Sequence, residues 1–188
     1  IQKAVTDWSR ERDLLAIVER SAVTKLDLWV LPLSGDKNAD AFLQGPANEN
    51  NPVFSPDVRW IAYDSDESGQ PEVYVLPFPA TVAGGRHQIS LKGGMQPMWR
   101  DDNRELFFLA LDGTLMSASI STSTAKGFEF GLPEMRFPTG NSLIVANRRS
   151  YAVAKDGKEF LVIVPDPRTT PSAVTVVINW LAAFEKKR

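Results

Sequence analysis

Within six consecutive positions, Asp64-Ser65-Asp66-Glu67-Ser68-Gly69, the chain sets three carboxylates and two hydroxyls. Closely spaced oxygen donors of this kind can hold a hard cation such as Ca²⁺. The loop lacks the bidentate acid at the distance an EF-hand supplies, and Pro71 follows soon after. Asp and Ser in short polar loops also bond their own backbone and build turns. The turn is the preferred reading, and no metal site or cofactor is expected.

His87 is the single histidine, so a Ser-His-Asp triad has no other base to draw on. No Gly-x-Ser-x-Gly elbow is present, which argues against a hydrolase active site within the chain. Zinc and iron sites need several His or Cys ligands, and cysteine is absent. His87 therefore reads as a strand-edge residue, no catalytic residue is assigned, and the chain is not read as an enzyme.

These residues must be held by something, and composition narrows what that is. The 188 residues are 43% hydrophobic and 23% charged, with net charge -2. That is ordinary for a globular domain. No basic stripe suggests nucleic acid, and no apolar run is long enough to span a bilayer. The chain begins with Ile1 and carries no signal-peptide pattern, so it is expected to be excised from a longer protein.

Internal repeats decide the architecture. Trp8-Ser9-Arg10-Glu11-Arg12-Asp13 aligns with Phe54-Ser55-Pro56-Asp57-Val58-Arg59, Trp99-Arg100-Asp101-Asp102-Asn103-Arg104 and Val153-Ala154-Lys155-Asp156-Gly157-Lys158. Starts at 8, 54, 99 and 153 are separated by 46, 45 and 54 residues. The longest interval leaves room for a loop insertion over 137–149. A β-rich run follows each turn, at 14–18, 60–64, 105–109 and 159–164. A second run follows at 27–33, 72–78, 114–120 and 173–179, and weaker fourth runs at 41–44, 87–91 and 135–138. Runs such as Trp60-Ile61-Ala62-Tyr63 lack polar alternation, as strands buried on both faces do.

Four antiparallel strands repeating every ~40–50 residues are the signature of propeller blades. The expected fold is all-β, a single domain over 1–188 with about four blades at 5–46, 47–92, 93–140 and 148–184. A β-sandwich is the rival, and would not need so regular a repeat. Arg12, Val58, Asn103 and Gly157 occupy one turn position, where β-branched Val58 would be strained if φ were positive. A local change of turn type at Val58 is expected instead. Trp8, Phe54 and Trp99 are repeat-equivalent and read as packing between blades; Trp29, Trp60 and Tyr74 read as core.

In an antiparallel blade the link into strand one and the link from strand two to three lie on the same face. Loops 48–51, 64–70, 91–96, 110–113, 141–149 and 165–171 should share one rim. Loops on a rigid scaffold commonly carry function. The candidate ligand-binding residues on this rim are Asn48, Glu49, Asp66, Glu67, Asp112, Arg148 and Arg149, with Arg168 adding positive charge. Mixed charge of this kind suits a polar small molecule or a protein.

The motifs Asn48-Glu49-x-x-Pro52-x-Phe54-Ser55-Pro56-Asp57, Ala62-Tyr63-x-Ser65-Asp66-Glu67-Ser68-Gly69 and Glu72-Val73-Tyr74-Val75-x-Pro77-Phe78-Pro79 resemble the TolB-type β-propeller repeat. Gly93-Gly94-x-x-Pro97-x-Trp99, Glu105-Leu106-Phe107-Phe108, Asp156-Gly157-x-x-Phe160-Leu161-Val162 and Val177-Ile178-Asn179-Trp180 extend the likeness over nearly the whole chain. The version is similar to the propeller that follows the kinase domain in many bacterial serine/threonine kinases. The resemblance implies usually six blades, often outside the cytoplasmic membrane, so this would be the C-terminal part of such a protein. Val58 and Asn103 depart from the family's Asp-Gly turn, and His87 stands where an aromatic is common.

The last copy ends after its third strand, and 181–188 could add one or two helical turns. A closing strand for that blade would come from 1–4. An open fragment would expose apolar faces and pair with another copy of itself, as a homo-oligomer. The expected function is a non-catalytic sensor or scaffold module of a bacterial signalling protein, binding a protein or polar ligand. The alternatives are the propeller portion of a hydrolase or lyase, or a TolB-type periplasmic interaction module.

Overall fold

The computed structural model describes residues 2–9, 11–80, 85–123, 127–140 and 149–164. They form antiparallel sheets in chain order, with no helix among the described residues. The first sheet is β1 (Lys3–Ser9), β2 (Leu14–Ser21), β3 (Lys25–Pro32) and β4 (Asp40–Leu43), neighbours in that order. The second repeats the pattern with β5 (Glu49–Phe54), β6 (Trp60–Ser65), β7 (Glu72–Pro77) and β8 (His87–Gln88). The third holds β9 (Met95–Trp99), β10 (Glu105–Leu109) and β11 (Thr114–Ser123), and β14 (Tyr151–Val153) with β15 (Phe160–Val162) begin a fourth.

The outer edge of the third sheet departs from the sequence expectation. Its long β11 carries two partners in line, β12 (Gly127–Phe130) against one half and β13 (Glu134–Pro138) against the other. Only β13 was expected. The break between them falls at Gly131-Leu132-Pro133, where Gly131 N donates to the Ser119 carbonyl at 2.9 Å. Proline has no N–H to continue the ladder, so the strand divides there. Lys3 and Ala4 also behave differently, pairing with Glu19 and Val18 inside the first sheet. They extend β1 rather than closing the last blade. The run 173–179 and the tail 181–188 lie outside the described residues.

Continuous apolar runs are explained by sheets stacked face to face. Ile61 packs with Ala16 and Val30 of the first sheet, and Tyr63 with Val18 and Leu28. Their neighbours Trp60 and Ala62 point the other way, onto Leu106, Phe108 and Ala118 of the third. Phe107 and Leu109 in turn meet Tyr151 and Phe160 of the fourth. Period-2 alternation therefore sends successive side chains to different sheets, and both sets are buried.

The turn between the first two strands keeps one geometry in the second, third and fourth copies. Val58 N donates to Ser55 O at 2.8 Å, Asn103 N to Arg100 O at 3.1 Å, and Gly157 N to Ala154 O at 2.9 Å. Their φ values are 54°, 61° and 72°. In the first copy the positive φ falls one position later, on Asp13 at 50°. Val58 thus accepts the left-handed backbone that a change of turn type was expected to avoid. The surrounding structure over-determines it. Ser55 Oγ accepts from Arg59 N at 3.2 Å and Trp60 N at 3.0 Å, while the Val58 side chain, 2% exposed, is buried against Phe54 and Ile61.

Candidate functional site

The sheets bring the first strands of successive copies side by side, and the rim candidates divide between two places. Glu49, Asp66 and Glu67 meet at a cleft of about 390 Å³ between the first and second sheets, and Asn48 is bonded to Asp66. A parallel bridge from Leu26 to Asn48 sets the two sheets together there. Asn48 N donates to Asp66 Oδ1 at 2.8 Å, and Asn48 Nδ2 to Asp66 Oδ2 at 2.7 Å. Burial works to raise the Asp66 pKa, but these two bonds and the Lys25 charge outweigh it and hold it below the usual range. Glu67 forms an ion pair with Arg86, whose guanidinium lies 5.1 Å from the centre of the Tyr74 ring. Lys25, Leu43, Gln44, Gly45, Pro46 and Ala47 complete the lining.

Glu49 is the unusual member. Its side chain is 3% exposed and Oε2 has no hydrogen-bond partner. Burial, and then the neighbouring charge of Asp27, push its pKa up to about 7. Asp27 is itself 1% exposed; its Oδ2 accepts from Thr24 Oγ1 at 2.5 Å, while Oδ1 has no partner.

Arg149 belongs to the second place. Its guanidinium donates to the carbonyls of Thr6 at 3.2 Å and Pro97 at 3.3 Å, joining the first strands of the first and third sheets. A second cavity, about 370 Å³, is lined by Arg149, Asp7, Trp8, Phe54, Ser55 and Trp99, together with others of these inner strands. Phe54 N donates to Asp7 Oδ2 at 2.8 Å. Burial raises the Asp7 pKa against that bond and the Arg149 charge. Trp8 corrects the expectation of packing between blades: it is 50% exposed and faces this cavity. Phe54 and Trp99 each lean on the sheet that precedes their own. No sheet precedes that of Trp8 among the described residues.

A buried polar chain links the second, third and fourth sheets. Asp64 Oδ1 accepts from Asn51 Nδ2 at 2.8 Å and from Gln96 N at 2.9 Å. Ser150 N donates to Gln96 Oε1 at 2.8 Å, and the Tyr151 hydroxyl donates to Gln96 O at 2.8 Å. Burial raises the Asp64 pKa to about 6 despite the bonds from Gln96 and Asn51. Asn51 and Gln96 stand at the same repeat position, both with positive φ, 50° and 57°.

The three acids of the 64–69 loop therefore serve three different partners, and among the described residues no group of three His, Cys, Asp or Glu converges to hold a metal ion. Asp112 sits on an exposed turn, where Oδ1 accepts from Thr114 N at 2.9 Å. It lines neither cavity described above. Arg148 and Arg168 lie outside the described residues. His87 packs among aromatic rings, 4.8 Å from Phe128 and 6.2 Å from Trp60 between centroids, and burial lowers its pKa. Sequence reasoning missed Asn51, Gln96, Lys25 and Arg86. The first two could have been found from their shared position three residues before the aromatic. Lys25 follows from applying the rim rule to the first copy.

Stacked four-stranded antiparallel sheets whose first strands converge define a β-propeller. Comparison with solved structures bears this out. TolB from Acinetobacter baumannii matches with TM-score 0.64 at 12% identity, over 86% of this chain and 37% of that one. An oligogalacturonate lyase in complex with manganese matches with TM-score 0.55 at 14% identity, over 82% and 43%. The β-propeller domain of the Trilobed protease from Pyrococcus furiosus, described as having an open velcro topology, gives TM-score 0.53 at 16% identity, over 91% and 51%. The chain spans about half or less of the length of these structures. No protein-family model and no curated protein matches it.

Proposed function

We propose that this chain is the recognition part of a larger bacterial signalling protein, a non-catalytic propeller module that binds a protein or polar ligand on its rim. The kinase-linked, extracytoplasmic setting comes from the repeat resemblance and is part of the proposal. The observation that carries it is the convergence of Glu49, Asp66 and Glu67 with Lys25 and Arg86 around one cleft of about 390 Å³. Clefts of roughly 300–1,000 Å³ with a few placed polar groups on an apolar lining are the usual form of ligand sites. A non-catalytic role is supported by the placement of the single histidine, whose ring packs among Phe128, Phe130 and Trp60 instead of facing an acid and a nucleophile.

A thermal-shift screen of polar small molecules and short peptides, run on the wild type and on Glu67→Gln and Arg86→Ala, tests this reading. A ligand that stabilises the wild type and is lost in both variants supports it, since binding the native state must raise its melting temperature. Ligands untouched by either variant would move the site elsewhere. Chemical conversion of a bound ligand would overturn the non-catalytic role.

A further inference from the structure

We propose that the cleft between the first two sheets receives a primary ammonium carried on an alkyl stem, seated on Glu49 with Asp27 behind it. This rests on the reading of that cleft as the recognition site and names the chemistry it selects.

The Glu49 carboxylate lines the cleft, is 3% exposed, and leaves Oε2 without a hydrogen-bond partner. Asp27 Oδ1 is buried and equally unpartnered. A buried carboxylate oxygen with nothing to accept from costs free energy, so the site favours whatever supplies donors and positive charge. The two cations on the cleft wall are directed at other acids. Arg86 pairs with Glu67, and the charge of Lys25 acts on Asp66. The missing donor must then come from outside.

Size and lining choose among cations. A cavity of about 390 Å³ holds a side chain or a small amine, many times the volume of one metal ion. Among the described residues no group of three His, Cys, Asp or Glu stands ready to ligate a metal. Leu43, Pro46 and Ala47 supply apolar wall beside the acid. That pairing suits a methylene stem ending in a charged head, the two-part chemistry of lysine. Gly45 keeps the acid end open, because a Cβ there would stand 3.3 Å from Glu49 Oε1. A lysine side chain of a partner protein and a free alkyl diamine present the same group.

Calorimetric titration at about pH 8, where Glu49 is ionised, tests the inference and separates the two sources. The probes are an Nα-acetylated, C-amidated lysine tripeptide, 1,5-diaminopentane, the matching norleucine tripeptide and Ca²⁺. Binding of the lysine peptide or the diamine, with affinity falling about tenfold or more in Glu49→Gln and less in Asp27→Asn, is the expected result. The tighter of the two probes identifies the source. Glu49→Gln removes an unpartnered charge, so its melting temperature at that pH should match or exceed the wild type, which guards against misfolding. No heat from either amine, equal binding of the norleucine peptide, or unchanged affinity in Glu49→Gln would overturn the inference. So would Ca²⁺ binding that depends on Glu49 while neither amine binds. A ligand from the screen that needs Arg86 and Glu67 but not Glu49 would sink the ammonium alone and leave the cleft as the site.

Discussion

The guanidinium of Arg149 donates to the backbone carbonyl of Thr6, 143 positions earlier in the chain, at 3.2 Å. The same group reaches the carbonyl of Pro97 at 3.3 Å. One side chain at the start of the fourth copy thus ties together the inner strands of the first and third. Its charge also bears on Asp7 and Asp64, two acids whose burial would otherwise raise their pKa further. Arg149 is a structural member of the inner-strand cavity rather than a free cation on the rim.

Arg149→Ala should therefore cost about 2 kcal/mol, in the range of hydrogen bonds to charged groups. Arg149→Lys should recover less than half, because an ammonium lacks the planar fork that serves two carbonyls at once. Urea unfolding of the three proteins decides it. Indistinguishable midpoints would mean that the two bonds do not hold the inner strands.

Tyr151 tests the buried polar chain. Its hydroxyl donates to Gln96 O at 2.8 Å, and the residue is 3% exposed. Tyr151→Phe keeps the ring and removes that bond alone, so a loss of about 1 kcal/mol is expected. A change smaller than the error of the unfolding measurement would show that the third and fourth sheets do not depend on it.

Val58 offers a test with an inverted sign. At φ 54° any side chain with a Cβ is strained, by roughly 1–2 kcal/mol for a β-branched residue. Val58→Ala loses packing and keeps a Cβ in the left-handed region. Val58→Gly loses slightly more packing but sheds the strain. The glycine variant should therefore be the more stable of the two by about 1 kcal/mol, the reverse of the order seen in ordinary strands. If alanine proved more stable, the positive φ at this turn would be wrong.

The sheets were legible because their signals are local and repeated. Phe54, Trp99 and the runs after them recur at 45-residue spacing, and period-2 burial of Trp60 to Tyr63 needs no tertiary information. Turn geometry at Val58 was misjudged because propensity weighs one residue, while the Ser55 hydroxyl and a buried side chain outweigh it. From connectivity the rim rule put Asn48, Glu49, Asp66 and Glu67 on one face, where the last three line the cleft and Asn48 bonds Asp66. It could not find Arg86, which precedes a two-residue strand and reaches the cleft across the Tyr74 ring. Nor could it separate Arg149 from them, because a long side chain can leave the face on which its backbone lies. Gly131-Leu132-Pro133 hid β12 by splitting one edge strand into two short ones.

Acid groups with raised pKa set the pH dependence of stability. Glu49 rises from 4.5 to about 7 and Asp64 from 3.8 to about 6, both chiefly through burial. Between the ordinary and raised values the folded chain keeps a proton that the unfolded chain has lost. Stability therefore falls as pH rises through that window, from about pH 4 to just above pH 7. His87 acts in the opposite sense, since its lowered pKa withdraws stability as pH falls through about 6.5. The difference between wild type and Glu49→Gln isolates Glu49 from both. The variant's melting temperature should exceed the wild type's at about pH 8 and converge on it at about pH 4.5, where Glu49 is protonated in the fold. Circular dichroism melts at those two pH values measure the gap. A gap of equal size at both would show that Glu49 is not held protonated by its surroundings.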